Sequence, residues 1–171
     1  MKRSYFPRQC WALSGVLVVM ALLFAISASA QTPSIEGTYQ LISLKVTRDG
    51  TVLKPPDIMG LFTYTKSHRN FNFVRKDATG KFRSSSNVST YKLTATEYSE
   101  TRLFSIVNDQ IRGKDIVYDL SSETRSAPVT VEGGRIQFKH PFSRRLNVIE
   151  GNKWTTTAED NASVDVWEKV P

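Results

Sequence analysis

The sequence predicts an all-β fold, a barrel or sandwich of short antiparallel strands, following an N-terminal leader. Three observations predict it. Past residue 31 no window keeps apolar residues at i, i+3, i+4 and i+7 over three turns, the stripe by which a surface helix packs. Apolar, aromatic and β-branched residues instead alternate or gather in short runs. Turn signals such as Asp49-Gly50 and Gly133-Gly134 punctuate those runs, giving roughly the 8–12-residue spacing of all-β domains.

The leader comes first. Lys2, Arg3 and Arg8 form a basic start, Trp11 to Ile26 is an uncharged apolar run, and Ala28-Ser29-Ala30 is a small-x-small exit. The pattern predicts a signal peptide over residues 1–30, cleaved after Ala30, and an exported protein, periplasmic or secreted. An uncleaved anchor is the alternative, since Trp11 to Ala30 is 20 residues long, enough to span a bilayer. In either case the basic end stays inside and the remainder lies outside the cytoplasm. Cleavage predicts no stable membrane insertion afterwards.

Cys10 is the single cysteine of the 171 residues, and removing 30 leaves 141 with none. Disulfides, a thiol nucleophile and a cysteine-bound metal are thereby excluded from the mature chain. A chain of that size buries roughly two-thirds of its unfolded surface, enough for a core without staples. Lys2, Arg3 and Arg8 supply three of the formal +7 charges, leaving +4. The excess is scattered, with Arg69, Arg75 and Lys76, Lys81 and Arg83, and Arg144 and Arg145 reading as a solvated face. With export, this argues against nucleic acid as a partner.

The elements follow in order. Thr38 to Val46 is β-rich, Asp49-Gly50 turns it, and Thr51 to Leu53 begins a return that Pro55-Pro56 stops, because proline cannot donate to a ladder. Leu61 to Thr65 and Phe71 to Arg75 are strands about a turn at Ser67 to Asn70. Asn87 to Thr94 and Tyr98 to Phe104 form the next pair. Asp115 to Leu120, Pro128 to Val131 and Arg135 to Lys139 follow, the last two about Glu132-Gly133-Gly134. Asn152 to Thr157 is ambiguous, and Ala162 to Val170 closes with clear alternation. Residues 105–112 leave room for a short helix. No linker or composition step divides residues 31–171, so one domain is expected. Open edges invite aggregation and closure removes them, which favours a barrel over an open sheet. About eight strands enclose side chains or one small ligand.

The order of motifs resembles the lipocalin-like family of the calycin superfamily. Gly37-Thr38-Tyr39-x-Leu41-x-Ser43 is similar to the Gly-x-Trp first strand of such barrels, with Tyr39 where lipocalins usually carry Trp. Gly60-Leu61-x-x-Tyr64-Thr65 follows Asp49-Gly50 and a proline loop, though Ser67-His68-Arg69 stands where the family has a glycine. Glu132 to Phe138 resembles the late hairpin, and Val166-Trp167-Glu168-Lys169 the closing strand. The matches span most of residues 31–171. The resemblance implies an up-and-down β-barrel of about eight strands with a cup-like cavity, and says less of function.

The residues offer little catalytic chemistry. His68 and His140 stand far apart and read as turn or surface histidines, short of the three or four ligands of a metal site. Ser84-Ser85-Ser86 and Ser121-Ser122 lack a nucleophile elbow. Glu97, Glu100, Asp115 and Asp119 supply carboxylates that read as a wet outer face. Asn87-Val88-Ser89 and Asn161-Ala162-Ser163 are sequons, meaningful only in a eukaryotic secretory pathway. No catalytic residue, metal or cofactor is expected.

The aromatic content is more usable. In a barrel one face of each strand points inward, and Tyr39 with Leu41, Phe71 with Phe73, and Ile136 with Phe138 share faces. Tyr39, Leu41, Tyr64, Phe71, Phe73, Tyr118 and Phe138 are the expected ligand-binding residues. The expected function is that of an exported monomer binding a small apolar or amphipathic molecule in the barrel. The rivals are a barrel enzyme that isomerises, cyclises or hydrolyses such a molecule, and an envelope interaction module working through the basic surface from Arg69 to Arg83.

Overall fold

A computed structural model describes residues 33–171; the leader expectation falls outside the described residues. The described residues are all-β. Twelve strands run β1 Gly37–Val46, β2 Val52–Leu53, β3 Ile58–Tyr64, β4 His68–Lys76, β5 Phe82–Leu93, β6 Glu97–Asp109, β7 Lys114–Asp119, β8 Thr124–Glu132, β9 Arg135–Lys139, β10 Leu146–Glu150, β11 Lys153–Thr157 and β12 Ser163–Lys169. Every pairing is antiparallel. Ten strands close in the order β1-β3-β4-β5-β6-β8-β9-β10-β11-β12 and back to β1. β2 and β7 lie outside the closed ring, paired with parts of β1 and β6. No helix among the described residues is long and apolar enough to cross a membrane.

The expected strand count of about eight is therefore corrected to ten in the barrel. Local period cannot count a closed ring, because closure is set by which long strands find partners. Two strands account for the difference. Leu146–Glu150 is a strand that the sequence reading passed over, and the ambiguous Asn152–Thr157 stretch becomes β11. The room left for a helix at 105–112 is also filled differently. β6 runs on to Asp109, and only a 3₁₀ turn, Gln110–Arg112, follows, with the Asp109 carboxylate accepting from the Arg112 amide.

Two bulges decide which side chains face inward. In β1, Leu41 pairs with Trp167 and Ser43 with Val166, so Ile42 is extra. Tyr39 and Leu41 point in before it, Leu44 and Val46 after it. In β6, Val88 pairs with Phe104 and Ser89 with Arg102, leaving Leu103 extra. Even-numbered residues Tyr98 and Glu100 are buried before it, odd-numbered Ser105 and Asp109 after it. One inserted residue thus swaps the faces of a whole half-strand.

The hydrophobic core fills one end of the barrel. Ile35, Tyr39, Tyr64, Tyr98, Ile136 and Trp154 are among its buried members. Trp154 is central, with Tyr39 edge-on at 5.1 Å and Tyr64 stacked at 5.1 Å. Phe62 stacks on Trp167 at 3.9 Å. Gly60 permits that packing: a Cβ there would lie 2.7 Å from the Trp167 ring and 3.1 Å from the Asn72 carbonyl oxygen.

Candidate functional site

The other end of the barrel is hollow. A cavity of about 500 Å³ reaches from Tyr64 and Trp154 to a mouth at Val46, Arg75, Arg83 and Ser163. Its apolar walls include Phe62, Phe71, Phe73 and Trp167. A ligand pocket is expected to be of this size, mostly apolar, with a few converging polar groups. A second concavity lies outside, over Met59, Leu61 and Ile106, and no titratable side chain lines it. The interior cavity is therefore the candidate site.

Its floor is a buried ionic network centred on Glu100, which is 1% exposed. Glu100 Oε1 accepts from Ser89 Oγ at 2.7 Å and from Arg69 Nη1 at 3.2 Å. Oε2 accepts from the Tyr98 hydroxyl at 2.6 Å. Arg69 Nη1 also donates to Asn87 Oδ1. The Arg69 guanidinium lies within 5.3–5.7 Å of the Phe71 and Phe62 ring centres, near enough for cation–π attraction. Burial opposes the Glu100 charge, but Arg69, then His140 and Tyr98, outweigh it and hold the carboxyl well below the usual range. Burial pushes the Tyr98 phenol far up, so it stays a donor.

His140 completes the floor. Its Nδ1 accepts from the amides of Ser143 at 3.2 Å and Phe142 at 3.3 Å. An accepting Nδ1 puts the neutral ring's proton on Nε2. Burial first, and the nearby Arg69 charge next, push the His140 pKa below its usual value, keeping the ring neutral. Nε2 sits 3.0 Å from Glu100 Oε2, yet the N–H is not aligned for a hydrogen bond to it.

One wall carries a second ion pair. Asp165 Oδ2 accepts from Arg145 Nη2 at 2.8 Å and Thr156 Oγ1 at 2.9 Å. Arg145 is further held by Ser163 Oγ and the Thr156 carbonyl. Burial raises the Asp165 pKa against the pull of Arg145.

Five buried side-chain atoms have no hydrogen-bond partner among the described residues: Nε of Arg69 and Arg75, Nε2 of His140, Nε1 of Trp167 and Oδ1 of Asp165. All five residues line the cavity. Buried polar atoms are ordinarily paired, and each unpaired one costs about 1–3 kcal/mol. These atoms belong to residues of the cavity wall but are themselves packed within it, out of reach of the cavity space.

The structure places the expected ligand residues in three groups. Tyr64, Phe71 and Phe73 line the cavity. Tyr39, Leu41 and Phe138 are buried in the packed core. Tyr118 is on β7, outside the ring and 66% exposed. The sequence reading also needs correction at four ionisable residues. His140 is buried, not a turn or surface histidine. Glu100 is buried in the floor, not on a wet face. Arg69 and Arg75 point inward from what read as a solvated basic face. The signal was there for the arginines: Arg69, Phe71, Phe73 and Arg75 recur at period 2 and so share one face of β4.

Among the described residues no three His, Cys, Asp or Glu side chains gather as a metal site. Comparison with family models, curated proteins and solved structures gives no match.

Proposed function

We propose that the protein is an exported, lipocalin-like barrel that binds one small amphipathic molecule in its interior. The observation that carries this reading is an aromatic-walled interior cavity of about 500 Å³ whose lining also carries Arg69, Arg75, His140, Arg145 and Asp165. A filled barrel of structural purpose would lack that space. The ordered motifs from Gly37 to Lys169 support the lipocalin-like assignment, and the basic–apolar–small pattern of residues 1–30 supports export.

Native mass spectrometry of the protein purified without detergent from its own host tests it. The expected spectrum shows a co-purifying small molecule that leaves on collisional activation. An apo mass alone, with no uptake of added amphiphiles, overturns the reading.

Asp165 favours a second reading, an acid–base enzyme on the same ligand. Asp165 lines the cavity and burial lifts its pKa, as a proton-transferring carboxyl requires. Chemical change in a bound molecule that stops in Asp165→Asn would establish this. Release of the bound molecule unaltered excludes it.

A further inference from the structure

We infer that the ligand carries an oxyanion, carboxylate or phosphate monoester, gripped at the barrel mouth by Arg75 and Arg83. The inference rests on the proposed binding function and adds the ligand's chemical class.

Arg75 on β4 and Arg83 on β5 stand directly opposite each other in register. Both line the cavity. Like charges directly opposite in an antiparallel pair repel and destabilise the sheet. Arg83 is partly offset by Asp109, at 3.6 Å, and Arg112 draws on that same carboxylate at 3.9 Å. Arg75 forms no ion pair among the described residues, and its Nε is buried without a partner. The mouth thus sets three guanidinium groups against one carboxylate. Deeper in, by contrast, Arg69 is matched by Glu100 and Arg145 by Asp165.

The rest of the lining points the same way. Six arginines, Arg69, Arg75, Arg83, Arg102, Arg112 and Arg145, line the cavity together with one carboxylate, Asp165. A ligand suited to that lining carries acceptor oxygens. A planar guanidinium fork suits carboxylate or phosphate oxygens in particular. Phe71 and Phe73 follow Arg75 inward on the same face of β4. A head group held at Arg75 therefore directs an apolar tail along those rings.

The test uses the protein purified from its own host and stripped of bound lipid. Decanoate, decyl phosphate and decan-1-ol are titrated while tryptophan emission is followed. The expected result is that at least one anion binds 10- to 100-fold more tightly than the alcohol, roughly the value of a hydrogen bond to a charged group. The tighter anion tells carboxylate from phosphate. Arg75→Gln is expected to remove most of that preference by weakening the anions far more than decan-1-ol, while Arg75→Lys keeps part of it. Added salt is expected to weaken the anions alone. Equal affinity for anions and alcohol overturns the oxyanion clamp and leaves the binding function standing. So does an Arg75→Gln loss equal for all three probes, which would mean a packing role. Failure of all three probes to bind overturns the binding function itself.

Discussion

Arg69 on β4 and Glu100 on β6 form an ion pair at 3.2 Å across an intervening strand, inside the barrel and almost wholly out of water. Such a pair is strongly held once formed, because either partner left alone is a buried charge. Ser89, Tyr98 and Asn87 supply further hydrogen bonds, so the charges are also solvated by the protein. This network forms the floor between the aromatic core and the hollow end.

Removing the carboxylate exposes that dependence. Glu100→Ala strands Arg69 and leaves the Ser89 and Tyr98 hydroxyls without their acceptor. A loss of about 3–5 kcal/mol in urea unfolding is expected. Glu97→Ala, three positions earlier at an exposed site, is expected to change stability by about 0.5 kcal/mol or less. Equal effects of the two would mean that the Glu100 network contributes nothing.

Acid is expected to destabilise the protein in two stages. His140 has its pKa lowered on folding, so below its ordinary 6.5 the unfolded chain takes up a proton that the folded one resists. Its contribution is present above that value and is lost as pH falls. Glu100 behaves alike below its ordinary 4.5. Asp165, raised on folding, works the other way, its stabilising contribution being lost as pH rises above 3.8. Urea midpoints measured from pH 7.5 to 5 are therefore expected to fall, and His140→Gln to flatten that slope. A slope unchanged in the variant would remove His140 as its source.

Gly60 is required by the ring beside it. In Gly60→Ala the new methyl would sit within 2.9 Å of two Trp167 ring carbons. Overpacking of this kind costs about 1–3 kcal/mol. A lower thermal midpoint is expected, together with a shift in tryptophan emission as Trp167 is displaced. Normal stability with unshifted emission would show that the barrel wall gives way freely.

The aromatic residues should separate by place. Phe71 lies on the cavity wall and packs on Phe62 at 5.0 Å. Phe71→Ala is expected to weaken decanoate binding at least about tenfold, the loss of roughly 1.4 kcal/mol of apolar contact. Tyr118→Ser, on the exposed outer strand, is expected to leave both binding and stability within error. Isothermal titration of the two variants distinguishes them.

The all-β class was legible because period-2 patterning and turn chemistry are local. Asp49-Gly50, Glu132-Gly133-Gly134 and the Val164-Val166 alternation in the last strand each act within a few residues. Leu146–Glu150 was missed because five residues after a turn carry too little pattern to stand out. Part of the cavity wall was legible too, since Phe71 and Phe73 announce a shared face. The floor was not. Glu100 resembles any surface carboxylate until the fold carries it beside Arg69, 31 positions away.

By itself, then, the sequence determined the strand class, the absence of any cysteine after Cys10 and the facing of short segments, all consequences of side-chain chemistry and neighbour spacing. Only the tertiary structure decided that ten strands close the ring, that inserted residues at Ile42 and Leu103 reset which side chains turn inward, and that scattered arginines line a cavity. Those outcomes depend on strand register and closure. A charge reads as surface from its neighbours in sequence, but its burial is set by partners that closure brings from distant strands.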